Sequence, residues 1–198
     1  PAGGWRYRPG EPGDTSVLGW QVMALQSARV AGLKVPEETF ELAGQYLDRV
    51  QSGDGFSYSY QRGRSPTHVM TAEAMLCRMY SGWTFDDPGL SEGVTRLVDR
   101  FPPKRSDTNI YYWYYASQVM HHAGGVDWER WNRRLREILV QTQEKSGHEA
   151  GSWNPRGPHA QAGGRIYMTS LAICTLEVYY RHAPIFRRLD LTVDDQIE

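Results

Sequence analysis

The feature that most constrains this chain is a unit that returns at intervals of about 50 residues: glycines with an aromatic residue, a Pro/Gly-rich loop, then a long apolar run. Its first copy is Gly3-Gly4-Trp5, a loop to Gly13, and Asp14-Thr15-Ser16 opening an apolar run over 17–33. The middle copy reads Gly53-Asp54-Gly55-Phe56-Ser57-Tyr58, then Ser65-Pro66-Thr67 and a run over 69–80. The last is Gly151-Ser152-Trp153, a further Pro/Gly loop, and Arg165-Ile166-Tyr167 opening a run over 168–180. Trp5 and Trp153 each stand 19 residues before an alanine, Ala24 and Ala172. A period of this length commits the chain to stacked supersecondary units, each burying the face its neighbour leaves open.

Two kinds of helix alternate within the repeat. Segments 15–31, 67–81, 108–123 and 165–182 are apolar nearly all round, and Ile110-Tyr111-Tyr112-Trp113-Tyr114-Tyr115 has no polar face. Helices of that composition must be covered on several sides. Segments 36–51, 88–101 and 128–143 are amphipathic instead, with stripes Phe40/Ala43/Leu47/Val50, Leu90/Val94/Leu97/Phe101 and Trp128/Trp131/Leu135/Ile138. Asp87-Pro88, Pro36-Glu37-Glu38 and Asp127 supply helix starts, while Gly32, Gly82 and Gly124-Gly125 supply stops. No strand of useful length is predicted; Phe56 to Tyr60 alternates too briefly. The fold class expected is all-α: antiparallel helix hairpins in two concentric layers, apolar helices parallel and inside, about seven helices forming a partial α/α toroid. A straight solenoid is the competing shape. Residues 1–184 are assigned to this domain and 185–198 to a C-terminal tail.

Composition bounds the partners. The formal net charge is -1, so nothing drives bulk association with nucleic acid or an anionic membrane. Gln21, Glu73 and Gln118 interrupt the longest apolar runs, so no membrane span is predicted and a soluble protein is expected. Cys77 and Cys174 lie inside apolar runs as small hydrophobes, without a disulfide framework. The compartment stays open, with the cytoplasm favoured.

Gln51-Ser52-Gly53-Asp54-Gly55-Phe56, and Gln143 through Gly151-Ser152-Trp153, resemble the repeats shared by squalene-hopene cyclases and the β subunits of protein prenyltransferases. The resemblance covers nearly the whole chain and implies the α/α toroid. It departs in the third unit, where Phe101-Pro102-Pro103-Lys104-Arg105 stands before Asp107 without a Gly-x-aromatic element. Too few units are present for the closed ring of that superfamily, so the chain is expected to be a C-terminal part of something longer, with homodimerisation through its open edges. The cyclase acid implied by the resemblance is an Asp-x-Asp-Asp box, and Asp86-Asp87 lacks the first aspartate. The prenyltransferase zinc site implied is Asp-x-Cys with a later His; Asp14-Thr15-Ser16 has serine for cysteine, and Asp107-Thr108-Asn109 offers no histidine. Neither catalytic signature is complete, so enzyme status is left open, with no cofactor and no metal expected.

If the inner helices are parallel, their starts meet at one mouth and add partial positive charge there. Asp14, Thr15, Ser16, Thr67, His68, Asp107, Thr108, Asn109, Arg165 and Tyr167 are placed at that rim, with Arg62, Arg64, Arg105 and Arg156 on nearby loops. The ligand-binding set is Trp5, Trp20, His68, Asn109, Tyr111, Tyr112, Trp113, Trp153, Arg165 and Tyr167, with Asp14, Asp107 and Glu73 as the catalytic candidates. Such a rim suits an isoprenoid or other amphiphile with an anionic head. The bland counterpart is that Asp14, Thr67, Asp107 and Thr108 cap helices and the aromatics fill space between layers. His121-His122 are read as serving a helix end, not a metal with His148 or His159, and Glu73 and Glu177 as acids salt-bridged to Arg78 and Arg181. Two further function classes are carried: a non-catalytic protein-interaction toroid, and a carbohydrate-active lyase or glycosidase using facing carboxylates at Asp14 and Asp107.

Overall fold

A computed structural model describes residues 3–182. It is all-α apart from one two-residue strand pair, with helices α1 (Thr15–Val30), α2 (Glu37–Val50), α3 (His68–Tyr80), α4 (Pro88–Arg100), α5 (Ile110–Ala123), α6 (Gly125–Thr142), α7 (Ala160–Leu176) and α8 (Val178–Arg181). Strands β1 (Gln51–Ser52) and β2 (Ser57–Tyr58) pair antiparallel between α2 and α3. Residues up to Phe101 form one compact unit and those from Pro102 a second. The tail expected over 185–198 lies outside the described residues. No helix among the described residues is long and apolar enough to cross a membrane.

In the first unit, α1 and α2 are antiparallel. Arg29 near the end of α1 pairs with Glu37 at the start of α2, while Tyr46 near the end of α2 donates its hydroxyl to the Gly13 carbonyl before α1, 3.0 Å. The apolar helices run the same way. Both start against β2 and the residues just after it, since Thr15 N donates to Tyr60 O and Thr67 N to Tyr58 O, and one turn further Gly19 of α1 faces Glu73 of α3. A Cβ at Gly19 would fall within 2.4 Å of Glu73 Oε1, so the glycine is what lets the helices approach there. Helix α4 returns antiparallel to α3, with Phe101 stacked on His68 at the start of α3.

The second unit repeats the plan. His121 near the end of α5 packs edge-on against Trp128 early in α6, so the pair is antiparallel. Gly157, ahead of α7, lies on Thr108, ahead of α5, and His121 bonds the His182 carbonyl beyond α8 at 2.7 Å, so α5 and the α7–α8 rod are parallel.

Burial separates the helix kinds as expected only in part. Every residue of α3 from Met70 to Tyr80 is buried, and α5 is buried from Tyr112 to His122. Helices α1 and α7 depart from the expectation of cover on several sides: Trp20 is 43% exposed, Ile166 82% and Ile173 40%. The stripes of α2 and α6 are buried at Phe40, Ala43, Leu47, Val50, Trp131, Leu135 and Ile138, whereas Phe101 turns out to be 40% exposed, just past the last turn of α4.

The helix ends correct several expected caps. Asp14 and Thr67 do cap, accepting from Val17 N and Met70 N, but α5 is capped by Asn109, which accepts from Tyr112 N, and not by Asp107 or Thr108. Asp87 stands before α4 but turns its carboxylate back to Thr84 N. Helix α6 begins three residues earlier than predicted, at Gly125, so Asp127 sits inside its first turn and pairs with Arg130. A left-handed Gly164, φ 63°, breaks α7, so its straight part does begin at Arg165.

Candidate functional site

The glycine-aromatic signature is a folding device that builds one wall of a cavity. After α2, Gly53, Asp54 and Gly55 all have positive φ and turn the chain back so that β2 pairs with β1. A side chain at Gly53 would meet the Phe56 ring at 2.1 Å. Tyr58 N then donates to Thr71 Oγ1 in α3 at 3.1 Å. After α6 the same moves recur: Glu144 N donates to Ser152 O, Gly151 N to Glu144 O, and Trp153 N to Thr169 Oγ1 in α7 at 3.2 Å. The Trp153 indole N–H donates to the Leu139 carbonyl at 2.8 Å, a second bond on an acceptor that already takes Gln143 N at 3.1 Å.

Between the start of α5, the end of α6, this turn and α7 lies a cavity of about 230 Å3. Ile110, Trp113, Ile138, Leu139, Trp153, Met168 and Ala172 form its apolar wall; Arg105, Thr108, Thr142, Glu144, Asn154 and Arg156 form its polar one. The polar wall is held by a chain of bonds. Arg165 donates to Ser152 Oγ at 3.1 Å and to Asn154 Oδ1 at 2.6 Å, and pairs with Glu149 at 2.8 Å, while Asn154 Nδ2 donates to Glu144. Among the described residues the two cations are uncommitted to acids: Arg105 donates to Gln141, 3.3 Å, and Arg156 has no ion-pair partner. The cavity thus offers positive charge over an aromatic floor.

Only Trp113 and Trp153 of the expected ligand-binding residues line this cavity, joined by Arg105, Thr108 and Arg156 of the expected rim. Asn109 is spent on capping α5. Tyr111 packs on Tyr115 and His159, and Tyr112 lies edge-on to Trp131, its hydroxyl pushed well above the usual range by burial and then by the Asp107 carboxylate. Arg165 pins the loop and does not line the cavity, while the Tyr167 hydroxyl is buried without a partner. Trp5, Trp20 and His68 belong to the other unit. There Trp5 accepts from Asp14 N through its carbonyl, 3.0 Å, and His68 lines a second cavity.

Of the catalytic candidates, Asp14 and Glu73 belong to the first unit and Asp107 to the second. Asp14 is wholly buried, caps α1 and sits 3.5 Å from Arg6; Glu73 is buried beneath Gly19; Asp107 is exposed in the turn before α5 and outside the cavity. Glu73 is not paired with Arg78 as expected, because Arg78 points the other way to Asp48 at 2.5 Å. Sequence reasoning named that arginine only as a partner for Glu73; it is 3% exposed and also binds Tyr58, Gly44 and Gln51. The same reasoning missed the end of α6 as a cavity wall; the framing pair Gln143 and Gly151, joined by a 2.9 Å bond, was the available signal.

His121 and His122 end α5 beside His182, with ring centroids 5.7 and 6.2 Å apart along the series. Burial, then the neighbouring histidine His121, pushes His122 down to about 3; burial, then Arg181, pushes His182 down to about 4. Desolvation therefore outweighs the pull of a helix C-terminus on a cation. No group of residues suited to hold a metal ion occurs among the described residues.

Comparison with protein-family models, with curated proteins and with solved structures gives no match.

Proposed function

We propose that this chain is a helical-hairpin domain of the kind its cyclase and prenyltransferase resemblance implies, and that its second unit binds an amphiphile with an anionic head and a short apolar tail. The observation that carries the reading is the pairing of Arg105 and Arg156, neither engaged by a carboxylate, with the Trp113/Trp153 floor of one cavity. A phosphate or carboxylate head gains charge-assisted hydrogen bonds from the arginines, and the tail gains apolar cover. The volume, about 230 Å3, exceeds the ~150 Å3 that accommodates benzene and falls below the ~300 Å3 at which drug-sized pockets begin. A tail of isoprenyl length near ten carbons is therefore favoured over a squalene-length chain.

The role proposed is binding. Glu144 is the one carboxylate among the lining residues, and the Asn154 amide already engages it, so the cavity lacks the two opposed carboxylates a glycosidase mechanism uses. The test is calorimetric titration with geranyl diphosphate, geraniol and squalene. Geranyl diphosphate should bind, with R105Q and R156Q each weakening it about tenfold or more, the scale of one lost charge-assisted bond. Equal affinity for geraniol and the diphosphate would refute the proposed head-group contact.

A further inference from the structure

A second cavity, of about 180 Å3, occupies the corresponding place in the first unit, between the start of α3, the end of α4 and the turn that carries Phe56. Its chemistry differs from that of the larger one. Four flat groups line it, and they stand in two stacked pairs. The Arg96 guanidinium lies over the Phe56 ring at 3.8 Å, and the His68 ring lies on Phe101 at 4.6 Å with only 13° between planes. Arg96 is also tied to Glu92 at 2.5 Å, which fixes it. Arg100, one turn further along α4, has no ion-pair partner among the described residues and lines the same cavity.

We infer that this cavity is a binding site for a small aromatic carboxylate, a planar ring carrying one negative charge. The volume sets the size, since ~150 Å3 is enough for one benzene ring. Flat walls favour a flat guest, because ring and guanidinium faces gain most from an offset or edge contact with another ring. Arg100 sets the charge: Glu92 already neutralises Arg96, so one cation is left for one carboxylate. Both threonine hydroxyls of the lining are already engaged. Thr67 caps α3, and Thr71 accepts from Tyr58 N and donates to the Thr67 carbonyl, so they orient the wall and leave the arginine to hold the ligand. The inference rests on residues of the first unit alone and is independent of the ligand proposed for the second.

The test is the 19F line width of 4-fluorobenzoate titrated with the whole chain. Broadening is expected, lost in R100Q, which alters an exposed side chain and leaves the fold intact, and kept in R156Q of the other cavity. Cyclohexanecarboxylate, puckered and of similar size, should displace the probe about tenfold less well than benzoate. A sharp line with the unaltered protein, broadening undiminished in R100Q, or loss of broadening in R156Q would each overturn the inference.

Discussion

Replacing Arg78 tests whether this fold is held by a buried cation shared among several acceptors or by an ordinary ion pair. Its Nε donates to the Tyr58 hydroxyl at 3.1 Å, Nη1 to the Gly44 carbonyl at 3.3 Å, and Nη2 to Asp48 at 2.5 Å and Gln51 at 3.3 Å, while the Trp83 ring lies 4.3 Å from the guanidinium carbon. The partners differ in what they lose. Asp48 is 56% exposed and regains water, so that pair contributes less than about 1 kcal/mol. Tyr58 is wholly buried and has no water to turn to, which costs about 1–3 kcal/mol when its partner goes. The contact with Trp83 adds roughly 0.5–2 kcal/mol. Arg78→Met, which keeps the length of the stem, should therefore destabilise the first unit by about 3 kcal/mol, and Asp48→Ala by less than about 1. Urea unfolding followed by tryptophan fluorescence measures both, and with slopes of roughly 1–2 kcal/mol/M the R78M midpoint should fall by about 1.5–3 M. A double-mutant cycle adds the decisive number: R78M with Y58F should couple by about 1 kcal/mol or more, and R78M with D48A by less. Equal losses in R78M and D48A, or no coupling to Tyr58, would refute the reasoning.

Three other outcomes follow from the geometry. Gly53→Ala places a Cβ into the Phe56 ring at a φ of 60° and should cost about 2 kcal/mol or more, whereas Gly10→Ala, with φ 82° and open space around it, should cost about 1 from backbone strain alone; thermal melts of the two variants compare them. Trp153→Phe keeps the floor of the larger cavity and leaves the Leu139 carbonyl its bond from Gln143 N, so loss of the indole bond alone should cost about 0.5–1.5 kcal/mol, with urea midpoints as the readout. Acid should weaken the second unit before carboxylates titrate. The folded chain keeps His122 neutral to about 3 and His182 to about 4, the unfolded chain protonates both near 6.5, and so stability present above 6.5 is lost as pH falls from there toward 4. The slope approaches ~1.4 kcal/mol per pH unit per histidine, and His122→Gln should flatten it in urea titrations at pH 7, 6 and 5.

Much of the local architecture was legible from residue order. The period of apolar and striped segments placed every long helix within a few residues, and it did so because helix faces answer to composition over a dozen residues at once. Single-residue features were harder. Asp107, Thr108 and Asn109 are all good caps, and which one closes α5 depends on the Lys104–Asp107 turn that precedes it. The rim residue Arg165 was legible as a cation near a helix start, but Ser152, Asn154 and Glu149 consume its donors, and nothing in its spacing announced them.

Sequence alone thus decided the helical class and the parallel setting of apolar helices within each unit, since these rest on periodicity and on short connections. Tertiary structure decided which polar groups are spent on one another and which remain. Arg78 went to Tyr58 and Asp48, Arg165 to its loop, and Arg100, Arg105 and Arg156 were left without acids among the described residues, because a charge finds its partner through space and not along the chain.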